Sequence, residues 1–273
     1  MSRVIVKLGG GLITDKTEYK HVQISHISPV ASVIKELVDM GHSVILVHGA
    51  GSFGHIESRK WRLADGYQQD IEQEQTEAID RVRFDMLELN RHVLEALQSE
   101  GLETESLPPR CWANGVGFAF EGDVSTFVRE PSEPIPVTFG DVVEVTNGSK
   151  FGILSGDHIM VRLAIELPDV SASLFLLGDA DGLMDRPPEQ SGAKLIEQWT
   201  PLDGLKGTHA SDIDVTGGIL LKAQCASMIA NSVDSVWLLN GRKPNRMLDV
   251  VARGVAVGTK VLNERSSYCW DCC

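Results

Sequence analysis

Apolar positions along the chain follow two alternating periods: short β-branched runs, then longer stretches with helical spacing. This pattern predicts an α/β fold with a parallel sheet and helices on its faces. Arg3 to Leu8 and His42 to Val47 read as buried strands. Between them Ser28 to Met40 reads as a crossover helix, with Ser28 as N-cap, Pro29 at the first helical position and Gly41 just past the end. A helical crossover makes the two strands parallel. Ile71 to Leu102 is a long charged amphipathic stretch, one helix or two. Glu105 to Glu130, with Pro, Gly and aromatic residues but little periodicity, predicts a hairpin or lid. Pro136 to Val145 and Lys150 to Leu154 flank Asn147-Gly148, a strong hairpin signal. Then come a helix from Ser155 to about Leu167, a strand over Ala172 to Leu177 and a turn-rich segment, Asp179 to Pro201, in which Pro187-Pro188 forbids a helix. A helix over Gly217 to Asn231, a strand over Ser235 to Leu239 and a closing edge strand over Val255 to Val261 complete the pattern. No repeat or low-complexity linker divides the 273 residues, so one domain with two lobes, 1–150 and 151–273, is expected.

Charge narrows the function. The chain has 25 Lys plus Arg against 38 Asp plus Glu, a formal net charge of −13, which argues against a nucleic-acid binder held by a broad basic face. Its 42% hydrophobic residues suffice for a substantial core. No apolar run reaches the roughly 18 residues that a membrane span requires. The N-terminus MSRVIVKLGGG lacks the basic flank, apolar stretch and cleavage site of a signal peptide, so a cytoplasmic protein is expected. Five cysteines, an odd number, fit a reduced compartment. Cys269 and Cys272 form a CxxC beside Cys273, but no second Cys or His pair follows, and it reads as an exposed reduced tail rather than a zinc site.

Glycine-containing turns carry the candidate chemistry. They are Lys7-Leu8-Gly9-Gly10-Gly11, the run from His48 through Gly49, Ala50, Gly51 and Gly54 to His55, and Thr216-Gly217-Gly218. A phosphate needs several backbone N–H groups converging on it, and glycine lets the chain approach without a Cβ in the way. Each turn alone is as consistent with a tight connection, and none has the P-loop or dinucleotide spacing. Lysines sharpen the picture. Lys7 lies inside an otherwise apolar strand, Lys16 just past the first turn, and Lys222 about one turn into the helix that Gly217-Gly218 opens. Phosphoryl transfer asks chiefly for alignment of two anions and neutralisation of charge, which lysines at glycine-rich turns supply. His55 is read as a phosphate ligand or proton-transfer group, against a structural histidine. Asp157, at a helix start in Ser155-Gly156-Asp157-His158, either complements the helix dipole or holds the lysines. Asp179, Asp181 and Gly182 follow a strand, where nucleotides commonly bind, although a turn needs no function.

Together KLGGGLITDK, HGAGSFGH, PVTFGDVV, ILSGDHI, LGDADGLMDRPP and IDVTGGILLK resemble the amino acid kinase superfamily and, within it, the isopentenyl phosphate kinases; the DRPP element is similar to the eukaryotic-type branch. The resemblance implies a three-layer αβα sandwich with a mainly parallel central sheet that dimerises, and transfer of the ATP γ-phosphoryl to isopentenyl phosphate, with Mg²⁺ riding on ATP. It implies that Lys7 and Lys222 contact ATP phosphates, Lys16 stabilises the transition state and Asp157 organises the lysines. Gly9, Gly10, Gly11, Gly51, Gly217 and Gly218 would border ATP phosphates, and Asp179, Asp181 and Gly182 the nucleoside. Gly49, Ala50, Gly54, His55 and Gly156 would hold the substrate phosphate. The sequence departs from the family pattern at Gly11, Ala50, Phe139 and His158. Phe84, Met86 and Leu87 would line an apolar pocket for the prenyl tail, or else serve as core. A kinase for another small monophosphate or phosphonate such as fosfomycin, and a nucleotide-binding sensor without turnover, are the competing readings.

Overall fold

The β-branched run at the start of the chain forms the central strand of the fold, and each of its residues from Arg3 to Leu8 is buried. In the computed structural model, which describes residues 2–15, 17–201 and 218–263, this is strand β1 (Arg3–Leu8). The other strands are β2 (Ser43–His48), β3 (Thr104–Ser106), β4 (Ala113–Asn114), β5 (Glu121–Gly122), β6 (Ile135–Phe139), β7 (Asp141–Glu144), β8 (Phe151–Leu154), β9 (Val170–Leu177), β10 (Gln198–Trp199), β11 (Ser235–Asn240) and β12 (Thr259–Val261). The helices are α1 (Gly10–Ile13), α2 (Ile24–Asp39), α3 (Gly51–Lys60), α4 (Glu72–Ser99), α5 (Gly156–Glu166), α6 (Gly218–Ala230) and α7 (Arg246–Arg253).

Among the described residues the main sheet has eight strands in the order β10-β12-β11-β9-β1-β2-β6-β3. From β11 to β3 every neighbouring pair is parallel, whereas β12 runs antiparallel to β11. Strand periodicity assigns side chains alternately to two cores. Val4, Val6 and Leu8 pack with Ile27 and Ile34 of α2, Val82 and Leu89 of α4 and Met247 of α7. Ile5 packs on the other face with Phe175 of β9, Ile159 and Leu163 of α5 and Ile229 of α6. The result is the expected αβα sandwich, with its sheet drawn from both halves of the chain.

The chain leaves β1 through α2 toward β2 on one side, and leaves β9 through α6 toward β11 on the other. Connections that depart in opposite directions open a crevice at the carboxyl ends of the strands. Lys7 falls near the end of β1 on the same face as Ile5, so strand periodicity alone delivers its side chain to the α5/α6 side.

Several elements differ from the sequence pattern. α2 begins at Ile24 rather than Ser28 and carries Pro29 inside it, because burial of Ile27 extends the apolar stripe one turn upstream. The expected strand Pro136 to Val145 breaks at Gly140, whose N–H donates to His48 O at 3.1 Å; β6 joins the main sheet, while β7 pairs with β8 in a separate ribbon through the expected hairpin. The region Glu105 to Glu130 contains the small ribbon of β4 and β5. β12 is shorter than expected and is not the edge. The Thr259 hydroxyl donates to Ile196 O at 2.6 Å and accepts from Leu183 N at 2.8 Å, and the turn-rich segment supplies the edge strand β10 outside it. The C-terminal cysteines lie outside the described residues, as do Lys16, Thr216 and Gly217.

Candidate active site

The glycine turns are helix starts. α1 begins at Gly10, α3 at Gly51, α5 at Gly156 and α6 at Gly218, and all four of these glycines line one cleft of about 300 Å³. Unpaired backbone N–H groups and the positive end of the helix dipole favour an anion at such ends. The run to His55 reads from the sequence as a glycine-containing turn, and two glycines in a short helix disfavour it by about 1 kcal/mol each. Tertiary packing overrides that preference: α3 buries Gly51, Ser52, Phe53, Gly54 and Ser58. His55 therefore sits in the second turn of a helix, still on the cleft wall. The turns touch one another. A Cβ on Gly10 would meet Gly51 N and lie 2.8 Å from Gly51 Cα, and one on Gly49 would lie 2.7 Å from Gly10 N. Ala50 adopts φ −80° and ψ −32°, ordinary helical backbone, so its methyl group brings no strain to the turn.

Asp157 stands at the centre of the charge arrangement. The Ser155 side chain caps α5 by accepting the Asp157 N–H at 3.2 Å, and this places the Asp157 carboxylate in the first turn facing β1. Its Oδ1 pairs with Lys7 and its Oδ2 lies 3.5 Å from Lys222 Nζ of α6. Lys7 and Asp157 are almost wholly buried, while Lys222 keeps 17% of its side chain exposed. Burial pulls Lys7 down to about 8, against the attraction of Asp157. Burial alone would raise Asp157, but Lys222 and Lys7 together hold it below the usual carboxylate range. Two lysines thus converge on one carboxylate beside the glycine helix starts, an arrangement suited to receiving a polyanion. Gly156 lets the pieces close up, since a Cβ there would lie 3.2 Å from Val47 Cγ1 and 3.4 Å from Lys7 Cε.

Lys7, Gly9, Gly10, Gly11, Gly49, Ala50, Gly51, Gly54, His55, Gly156, Asp157, Asp179, Gly182, Gly218 and Lys222 all line the cleft. Asp181 does not. Its carboxylate accepts from Arg246 at 2.8 Å and Asn240 at 2.9 Å, with Lys243 at 3.4 Å, and these cations hold it down to about 2. It clasps the turn after β9 to the end of β11 and the start of α7. Of the apolar residues expected at a pocket on α4, Met86 lines the cleft together with Val82, whereas Phe84 is 67% exposed and Leu87 packs against the core.

The cleft also has walls that sequence motifs did not single out as site residues: Ser52 and Ile56 of α3, Val142 and Ile153 of the β7/β8 ribbon, and Pro187, Pro188 and Glu189 on the opposite side. Asp141 is there too, 2% exposed, accepting the Val142 N–H at 2.8 Å, and burial pushes its carboxyl up to about 6. His48, buried under the second turn, has its ring nitrogens 3.0 Å from Gly49 O and 3.2 Å from Asn90 Oδ1, donates its one N–H to one of these two oxygens, and stacks on Phe139 at 4.9 Å. Burial lowers its ring to about 4, so it is neutral and structural.

The family model described as "Amino acid kinase family" matches residues 2–240. The chain belongs to the amino acid kinase family. Among curated relatives, isopentenyl phosphate kinase of Methanocaldococcus jannaschii is 30% identical, covering 94% of this chain and 97% of its own length. The isopentenyl phosphate kinase of Methanothermobacter thermautotrophicus is 28% identical over 94% of this chain and 98% of its own length. A solved isopentenyl phosphate kinase substrate complex superposes with a TM-score of 0.78 at 26% identity, covering 96% of this chain and all of that one. Family membership gives the cleft its general chemistry: a kinase with a nucleotide co-substrate and a small-molecule acceptor.

Proposed function

We propose that the protein transfers the γ-phosphoryl group of ATP to isopentenyl phosphate, giving isopentenyl diphosphate and ADP. The observation that carries this reading is the Lys7–Asp157–Lys222 arrangement at the meeting of glycine helix starts, beside a wall of Val82, Met86 and Ile153 suited to an apolar tail. Relatives and solved structures with that name, matching across most of the chain, support it.

A terminal oxygen of the acceptor phosphate attacks the γ-phosphorus, and the bond from that phosphorus to the bridging oxygen of ADP breaks. With a second pKa of about 6 the acceptor is largely dianionic near neutral pH, so no strong general base is needed. Repulsion between two polyanions is the obstacle. Lys7 and Lys222, the N–H groups at Gly10, Gly11, Gly51 and Gly218, and Lys16 from the first loop would offset it on the ATP side, with Gly9, whose own N–H donates to Leu176 O at 2.9 Å, letting the turn pass close to β9, and Asp179 and Gly182 bordering the nucleoside. Gly49, Ala50, Gly54, His55 and Gly156 would hold the acceptor phosphate. Preorganised charge and alignment then supply most of the acceleration. Mg²⁺ would add further neutralisation; with the Asp157 carboxylate taken by two lysines, the ion would arrive on the nucleotide rather than on a protein ligand set. The reading divides the domain into a phosphate-substrate lobe, about 1–150, and an ATP lobe, about 151–273. It also extends to a homodimer, supported by the family likeness, and to the cytoplasm, supported by the odd cysteine count.

The direct test is ADP release with isopentenyl, dimethylallyl and geranyl phosphates beside fosfomycin and small amino acids. Turnover on a prenyl phosphate is expected, and turnover on fosfomycin or an amino acid alone would overturn the reading.

Burial of Lys7 predicts a pH dependence of nucleotide binding. A triphosphate favours the charged lysine, so binding raises its pKa from about 8 and takes up a proton wherever the free site is partly neutral. Affinity for a non-hydrolysable ATP analogue should therefore weaken as pH rises through 8 and beyond. Calorimetry in buffers of different ionisation enthalpy should show proton uptake, and a pH-independent affinity between about 7 and 9.5 would contradict the assignment of Lys7 to the phosphates.

A further inference from the structure

Next to the phosphate cleft, but outside its lining, an acidic side chain is buried for no reason the site explains. Asp85 of α4 is 4% exposed. A buried carboxylate is costly unless paired, and its partners come from the loop that follows α1. Tyr19 donates its hydroxyl to Asp85 Oδ2 at 2.5 Å, and Lys20 Nζ donates to Asp85 Oδ1 at 2.9 Å while pairing also with Glu88. The Lys20 ammonium lies 5.8 Å from the ring centres of Phe53 on α3 and of Phe84 on α4. Lys20 has φ 56°, backbone that a non-glycine residue keeps only where its surroundings hold it.

This loop is closed at its neck. Thr14 and Val22 form a β-bridge, Asp15 N donates to His21 O at 2.9 Å, and Gln23 N donates to Ile13 O at 2.7 Å. Thr14 Oγ1 accepts the Ser52 N–H at 3.0 Å and so ties the neck to the second glycine turn. The body of the loop, which carries Lys16 in the sequence, meets α4 at Asp85 and Glu88, one residue from Met86 of the cleft wall. Asp85 thus stands where the first loop, α3 and the acceptor-side helix meet.

We propose that Asp85 is a positioning residue for phosphoryl transfer: by receiving Tyr19 and Lys20 it fixes the loop bearing Lys16 against the helix that walls the acceptor pocket. The inference rests on the proposed function and adds to it a residue that touches neither substrate. The full chain is tested by steady-state kinetics on isopentenyl phosphate and ATP, with Asp85→Asn, Lys16→Ala and the double variant. Asp85→Asn is expected to lower kcat about tenfold with KM for ATP within about twofold, the signature of misalignment rather than lost binding. In the Lys16→Ala background the same change should alter kcat by less than about twofold, because the two residues act through one loop. Tyr19→Phe removes a single hydrogen bond from a half-exposed tyrosine, so it keeps the test open should Asp85→Asn not fold. It should lower kcat in the same direction, by less, and again only when Lys16 is present. Equal fold losses with and without Lys16, or an unchanged kcat in both variants, overturn the proposal while leaving the function reading intact. A wild-type protein that turns over no prenyl phosphate overturns both.

Discussion

Asp157→Asn is expected to lower kcat about 10³-fold and to destabilise the fold by about 3 kcal/mol near pH 7. Asparagine keeps the volume and the helix start but removes the charge that holds Lys7 and Lys222 together. Lys7 is left buried beside a like charge, so its pKa falls below its present value of about 8. The sign of the pH dependence follows. A lysine whose folded pKa lies under its unfolded value of 10.5 binds its proton more readily in the unfolded chain, so it weakens the fold at low pH and ceases to do so as pH rises toward 10.5. In the variant that penalty is larger near pH 7, and both proteins lose it on the alkaline side. The stability gap between wild type and variant, measured by urea unfolding, should therefore narrow between about pH 7 and pH 9.5. A gap that stays constant would mean that Asp157 does not govern the ionisation of Lys7.

The second large effect is expected at Gly10→Ala, where no charge changes. The new methyl group meets Gly51 N and lies 2.8 Å from Gly51 Cα and 3.5 Å from Ala50 C, all backbone atoms that cannot rotate away. The two phosphate-facing turns must separate, and displacement of reacting groups by about 1 Å costs on the order of 10² in kcat/KM. The loss should appear with both substrates, since the ATP-side and acceptor-side turns are pushed apart together. Overpacking should cost about 1–3 kcal/mol of stability. Gly41→Ala, at the end of α2, is the matched comparison: its φ of 88° makes alanine strained, yet nothing lies within 4 Å of the added carbon. It should lose about 1 kcal/mol of stability and no activity. Comparable activity losses in the two variants would show that general destabilisation, not the contact between turns, is responsible.

How much of this was legible in the sequence depends on whether the signal was local. The runs that became β1, β2, β9 and β11 and the helices α4 and α5 were readable because periodicity and burial agree there. Lys7 stood out as a cation inside an apolar strand, and Asp157 as an acid at a capped helix start; the structure brings both together with Lys222. α3 was not readable, because its glycines argue against a helix and only the packed interior argues for one. Asp181 had the sequence context of a ligand in a nucleotide turn, but its partners Asn240, Lys243 and Arg246 lie 59, 62 and 65 residues away and leave no local trace. On α4 the helical period was evident but its phase was not: Val82 and Met86, one turn apart, face the cleft, and Phe84 points to solvent. Asp141 stood inside PVTFGDVV without being read as a site residue and Asp85 carried no motif; their burial in the fold is what sets both apart.

The alternation along β1 bears on which mutations the chain can absorb. Val4, Val6 and Leu8 serve one core, and Ile5 and Lys7 serve the other side. Loss or gain of a single residue within this strand would exchange the two sets at every position beyond it. Lys7 would enter the aliphatic layer under α2 and α4, and an uncharged side chain would take its place opposite Asp157. Point substitutions among the valines should thus be tolerated while any one-codon insertion or deletion in β1 removes fold and chemistry together, so this stretch can drift in composition but not in length.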